Sequence, residues 1–447
     1  MLNETIERNF PEMLERLADI IRIPSIGGNK LPFMPYGRKC AEVLKRFLEI
    51  AEDEGFYIKN YDNYVGTIEF NENPVKLGVL CHLDVVPVSR EDWNYDPFGA
   101  QIDNGRMYGR GTIDDKGPAM AVLFAMKAIK DSGIELSHNI RFIVGCDEER
   151  GSSDLEYYFK KEKVPQYVFT TDGDYPVINI EKGMMRLRFE KKIEMKHIKS
   201  ITGGTVINAV PSCAEAILRD TDNLPSSENI SINNLYDGIH VVYKGSAAHA
   251  STPESGINAI TGLIEYLSRL ELDENENNLF SALAHSFIHD DYYGKGLGIN
   301  MTDEKSGPLT GVLSIISYDG CTLKMKMDIR YPVCGNKDDI QTRVKETVSD
   351  AGIEMYTDYV NDPHCVDENS EFVQTLLKVY HDQTGYDAYC KSIGGGTYVH
   401  DIENGVAFGP EFPGEVNNMH GNDESVSLES LMLNTKVIAN AIYEICR

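Results

Sequence analysis

The apolar positions of this chain change their period at about Gly183, and that change limits the folds open to it. Before Gly183 the apolar runs are continuous, over 75–81, 139–146 and 166–171. An almost wholly apolar helix is predicted over 117–131, between the first two runs. Buried strands spaced by helices imply βαβ units and a mostly parallel sheet. After Gly183 the pattern becomes period two, over 185–191 and 322–331, as antiparallel strands with one wet face require. Helices predicted over 256–272 and 337–351 sit between such strands. From about Val366 the first texture returns, with a helix over 372–380, a strand over 405–408 and a last helix over 428–445. The expected fold is α/β: one domain with a mostly parallel central sheet, residues 1–182 and 366–447. An inserted α+β domain, residues 183–365, interrupts it.

Charge excludes some partners. The 447 residues carry 43 Lys and Arg against 70 Asp and Glu, a formal net charge of −27. Nucleic acid and anionic membranes select clusters of Lys and Arg, so no nucleic acid or membrane partner is expected. The nine cysteines are scattered and odd in number, without a C-x-x-C pair, as in a reducing compartment. No basic and apolar leader opens the chain, and no run of ~18 apolar residues occurs. A cytoplasmic location is the expectation.

In a parallel sheet, function gathers at the carboxyl ends of the strands. Here each apolar run of the first segment leads into ionisable residues: His82-Leu83-Asp84, Asp147-Glu148-Glu149 and Asp172. A glycine-rich loop, 109–117, adds Asp114 and Asp115 ahead of the apolar helix. Each feature alone is weak. A single His after a strand is more often a hydrogen-bonded loop residue, and adjacent acids usually belong to turns. Together, clustered carboxylates raise one another's pKa unless a cation neutralises them. His with Asp and Glu, and no thiolate, fits Zn²⁺ or Mn²⁺. The donors exceed the needs of one ion, which implies two ions sharing a carboxylate. Asp84, two residues from His82 on an extended chain, lies on its side and is placed to orient it. No Gly-x-Ser-x-Gly elbow and no Walker A loop is present, and 109–117 carries two acids where a phosphate would sit.

At these residues the sequence resembles the co-catalytic metallopeptidases that include aminoacylase, carboxypeptidase G, succinyl-diaminopimelate desuccinylase and peptidase V. The matching motifs are HLDVVP from His82, WNYDPFGA from Trp93, GRGTIDDKGP from Gly109, DEERGS from Asp147, TTDGDYPV from Thr170 and MHGNDES from Met419. DDKGP, the run DYPVINIEKG and GGGTY look like the peptidase V dipeptidase branch. The resemblance spans essentially the whole chain.

It implies a role for each matching residue. Asp114 would bridge two divalent ions, with His82 and Asp172 on one and Glu149 and His420 on the other. Zn²⁺ is the first expectation, with Mn²⁺ or Co²⁺ as alternatives. Glu148 would be the general base, acting on a water that bridges the ions. Asp84 would support the metal site, and the Asp114–Asp115 peptide bond would be cis. The inserted domain would be a lid. Its His249 would stabilise the oxyanion, and Asn208 and Arg330 would contact substrate. Gly395, Gly396 and Thr397 would hold the substrate carboxylate. Read without the resemblance, Arg330 is a surface strand residue and His249 a turn residue.

The implied activity is hydrolysis of the peptide bond of short unblocked peptides. An N-acyl amino acid deacylase or desuccinylase would use the same site, and an inactive metal-binding regulatory protein is a further alternative. The inserted domain is longer than in relatives that dimerise through it, so a monomer is expected.

Overall fold

The computed structural model describes residues 1–219 and 224–447. The chain forms two units. The first comprises Met1–Asn179, Cys365–Lys391 and Gly396–Arg447, and the second Ile180–His364 with Ser392–Gly395. The first crossing thus comes three residues before Gly183. The strand Val177–Glu181 carries the apolar run across it, so periodicity could not mark the point. Ser392–Gly395, expected inside 366–447, belongs to the second unit.

The main sheet of the first unit runs Tyr57–Tyr61, Val65–Glu69, Asn139–Gly145, Val75–His82, Tyr167–Thr170, Gly405–Ala407 and Val177–Glu181. It is mixed rather than mostly parallel. The four strands from Asn139–Gly145 to Gly405–Ala407 are parallel. The strands flanking them pair antiparallel. The edge strand Tyr57–Tyr61 is largely exposed, and its polar sequence YIKNY gave no apolar signal. The helix Lys116–Asp131 is buried along almost its whole length because Leu2–Ile21 and Leu428–Cys446 pack against it. Leu2–Ile21 contributes Ile6, Phe10, Met13 and Leu17 to that core at helical spacing. It stops shortly before Pro24, where the residue preceding a proline leaves the helical region.

A second, small sheet lies in this unit. Ser425–Ser427 pairs with Arg106–Tyr108, which pairs with Gln101–Asp103. It ties the segment before the glycine-rich loop to the segment after His420.

The second unit is an antiparallel sheet in the order Ile230–Leu235, Gly238–Lys244, Cys213–Leu218, Ile198–Gly203, Thr310–Tyr318, Thr322–Tyr331, Gly183–Lys192 and Glu354–Asn361. Met185, Leu187 and Phe189 face a core shared with Ile260, Ile264, Phe280 and Val344 from its helices, while Arg186, Arg188 and Glu190 alternate outward. The helix Glu274–Ser286 was not read from its polar sequence. A capping box of Asp273 and Glu276 starts it. Among the described residues, no helix is long and apolar enough to cross a membrane.

Gly117 begins the buried helix where the glycine-rich loop folds back on it, and a Cβ there would meet the Thr112 carbonyl oxygen. Gly117→Ala should therefore cost about 1–3 kcal/mol by overpacking. The buried Trp93, the single tryptophan, reports on this unit by fluorescence in urea. An unchanged unfolding midpoint would show that the loop moves aside freely.

Candidate metal centre

The parallel strands deliver their ionisable ends to one edge of the sheet. His82 is the last residue of Val75–His82, Asp172 follows Tyr167–Thr170, and Glu148 and Glu149 lie in a short 3₁₀ turn after Asn139–Gly145. Asp114 comes from the glycine-rich loop and His420 from the loop before Ser425–Ser427.

Asp114 stands at the centre. One of its oxygens is 2.9 Å from His82 Nε2 and the other 2.6 Å from His420 Nε2. Asp172 Oδ2 lies 3.8 Å from His82 Nε2, and Glu149 Oε1 lies 3.3 Å from His420 Nε2. Two donor sets result, His82–Asp114–Asp172 and Asp114–Glu149–His420. Within each, the donor atoms all lie within 4.8 Å of one another. His82 Nε2 and Glu149 Oε1 are buried and make no hydrogen bond. The Asp114–Asp115 peptide bond is cis. Asp115 points away from the donors and accepts the His82 main-chain N–H at 3.0 Å.

Asp84 does more than orient His82. His82 Nδ1 donates to the Asp84 carbonyl oxygen at 3.1 Å, which turns Nε2 toward the donor set. The Asp84 carboxylate is 3.5 Å from Nδ1 and accepts the main-chain N–H groups of Glu148 and Glu149 at 3.3 and 3.2 Å. It thereby holds the turn that carries both glutamates.

The charges are strongly perturbed. Burial, then the charge of Asp114, pushes Asp172 up to about 7. Burial and the charge of Asp172 raise Glu148 well above the carboxylate range. Burial opposes charge on Asp114, yet its contacts with His420 and His82 outweigh it and hold the carboxyl low. Contacts with Asp114 and Glu149 raise His420 to about 10. Without a cation, protons balance the charge of this cluster. The nitrogen and oxygen donors, two of them orphaned, fit divalent cations.

In the second unit, Ala209–Val210 pairs with Ala248–His249, which sets His249 opposite Ala209, and the Asn208 carbonyl accepts the Ala250 N–H at 2.9 Å; Asn208 and His249 are both exposed. His249 Nδ1 meets Ser251 Oγ at 2.7 Å. Arg330 is not a surface residue. It is 3% exposed, pairs with Asp328 at 2.5 Å and donates to the Gly394 carbonyl at 2.8 Å. Gly395 lies in the second unit, and Gly396 and Thr397 in the first.

Sequence reasoning missed Arg110, Asp154, Tyr398 and Glu424. Asp154 is buried and accepts the N–H groups of Cys146 and Asp147 at 2.7 and 2.9 Å and the Tyr398 hydroxyl at 2.7 Å. The Tyr398 ring in turn stands edge-on to His82, with centroids 6.2 Å apart. Polar residues on an ordinary amphipathic pattern gave no sign of this burial.

Burial, then the charge of Asp84, pushes Asp154 up to about 7. A carboxyl raised on folding adds stability at low pH and loses it as pH rises through the folded value. The melting temperature of the chelated wild type minus that of Asp154→Asn should fall between about pH 4 and 7 and stay level above. A constant difference would contradict the assignment.

The sequence profile described as Peptidase family M20/M25/M40 matches residues 78–444. The YtjP protein of Bacillus subtilis (strain 168) is 36% identical, over 98% of each chain. The Beta-Ala-Xaa dipeptidase of Lactobacillus delbrueckii subsp. lactis is 32% identical, over 99% of this chain and 98% of that one. Human carnosine dipeptidase 1 shares the fold, with a TM-score of 0.62 at 16% identity, over 100% of this chain and 98% of that one. The chain belongs to peptidase family M20/M25/M40 and is a metallopeptidase.

Proposed function

We propose that this protein is a dipeptidase that uses two divalent cations, Zn²⁺ first among them, to hydrolyse short unblocked peptides. The observation that carries this reading is the pair of three-donor sets sharing Asp114, with buried, unbonded atoms on His82 and Glu149. The 32% identical relative acting on Beta-Ala-Xaa dipeptides supports the substrate class. His82, Asp114 and Asp172 would hold one ion and Asp114, Glu149 and His420 the other. Bound there, the ions supply Lewis acidity, which lowers the pKa of water and polarises a carbonyl.

The chain's own groups do the rest. Glu148 takes a proton from the attacking water and returns it to the leaving amine, a role suited to a carboxyl raised by burial. His249, supplied by the lid, stabilises the oxyanion. Asn208 contacts the substrate, and Arg330, with the main-chain N–H groups of Gly395, Gly396 and Thr397, binds its free carboxylate. In this reading the lid serves in place of a second subunit and the protein acts as a monomer.

The test is a panel of dipeptides and N-acyl amino acids given to chelated enzyme re-supplied with Zn²⁺, Mn²⁺ or Co²⁺ singly. Faster turnover of N-acyl amino acids than of β-Ala-His or Ala-Ala would replace dipeptidase by deacylase. Glu148→Ala should leave bound metal unchanged while kcat falls by about 10²–10⁴. Unchanged turnover would remove the base assignment. Arg330→Lys keeps a charge beside buried Asp328 but loses the fork. It should raise KM for dipeptides more than for an N-acyl amine without a carboxylate, and equal effects would take Arg330 out of the carboxylate role.

A further inference from the structure

Two buried residues outside the donor sets link the loops that carry Asp114 and His420, and they do so reciprocally. Glu424, four residues after His420, is fully buried. Its Oε1 accepts the main-chain N–H groups of Gly111, Ile113 and Asp114 at 2.9, 3.1 and 3.4 Å. Its own carbonyl accepts from Gly109 N–H at 2.9 Å. Arg110, four residues before Asp114, is 2% exposed. One guanidinium nitrogen meets Glu424 Oε2 at 2.5 Å, and the other donates to the carbonyls of His420 and Gly421 at 3.2 and 3.1 Å. The turn of His420 reaches into the glycine-rich loop, and that loop reaches back into the turn.

The turn needs such support. Asn418, His420 and Asp423 all have left-handed backbones, with φ of 55°, 57° and 55°, which side-chain-bearing residues rarely adopt. His82 and Asp172, by contrast, leave strands fixed by the central sheet. The Trp93 ring covers the Arg110 guanidinium at 5.4 Å, and Asp423 anchors the neighbouring N–H groups of Asn94 and Tyr95 at 2.8 and 3.2 Å. The turn is thus braced from two sides by groups outside both donor sets.

We infer that Arg110 and Glu424 are positioning residues that set the separation of Asp114 and His420, and so govern the affinity of the Asp114–Glu149–His420 set for its cation. This rests on the two-ion reading above. A lysine at 110 keeps the charge but cannot fork between a carboxylate and two carbonyls. A glutamine at 424 keeps the volume and one acceptor oxygen but loses the charge that pairs with Arg110.

The experiment titrates metal-free, full-length protein with Zn²⁺ alone, against a chromophoric chelator, for wild type, Arg110→Lys, Glu424→Gln and His420→Ala. Folding is checked by far-ultraviolet circular dichroism. Wild type should bind two equivalents. Both clamp variants should keep one tight equivalent and bind the second about 10- to 100-fold more weakly, following His420→Ala in which equivalent is lost. Their dipeptide turnover should recover as Zn²⁺ is raised, and that of His420→Ala should recover less. Equal weakening of both equivalents, unchanged binding, or a lower melting temperature with intact binding would each overturn the inference. Should Arg110→Lys fail to fold, Glu424→Gln decides alone. A wild type that binds one equivalent would instead overturn the two-ion reading, and the inference with it.

Discussion

Asp114 lies between two imidazoles, with one oxygen toward each, and the first unit is organised around that contact. A carboxylate so deeply buried is costly unless it is compensated. Here the compensation comes from His82 and His420, which the chain delivers from points more than three hundred residues apart. The imidazoles lie farther from the neighbouring acids, 3.8 Å at Asp172, so burial and the adjacent carboxylates drive Asp172 and Glu148 toward their protonated forms. The cluster is therefore short of positive charge by construction. Divalent cations relieve that shortage, whereas a folded chain without them can relieve it only by holding protons.

Much of this was legible in the sequence because a buried strand and its end are adjacent in the chain. His82, Glu148, Glu149 and Asp172 each follow a continuous apolar run, and the parallel order of those strands puts their ends on one edge. Asp114 was legible for a different reason: the glycine-rich loop is short, and the apolar helix behind it fixes where it must lie. His420 had no such marker. It sits in a half-exposed turn far along the chain, and only the resemblance at MHGNDES singled it out.

What pattern could not reach was burial caused by partners distant in sequence. Arg330 reads as the wet face of an alternating strand, yet Asp328, two residues earlier on the same face, lets it be buried. Asp84 reads as the orienter of His82. Its carboxylate proves to be the anchor of two main-chain N–H groups sixty-four and sixty-five residues away. The antiparallel strand Tyr57–Tyr61 escaped because an exposed edge strand needs no apolar run.

These anchors share a physical logic. Two segments, the one that bears Asp114 and the one that bears Glu148 and Glu149, are pinned by buried carboxylates accepting their main-chain N–H groups. Asp84 holds Glu148 and Glu149, Asp154 holds Cys146 and Asp147, and Glu424 holds Gly111, Ile113 and Asp114. Strand ends are fixed by the ladder, but loops leave amide groups unpaired, and unpaired amides in a dry interior are expensive. A carboxylate satisfies several amides at once and stiffens the loop. The cost is further negative charge around a centre already rich in it. Arg110 pairs with Glu424, and Asp154 has the Tyr398 hydroxyl in place of a cation, yet burial raises both carboxyls to about 7. Part of the acid excess of this chain is thus interior scaffolding. It fixes the donor loops while strengthening the demand for cations at the site they form.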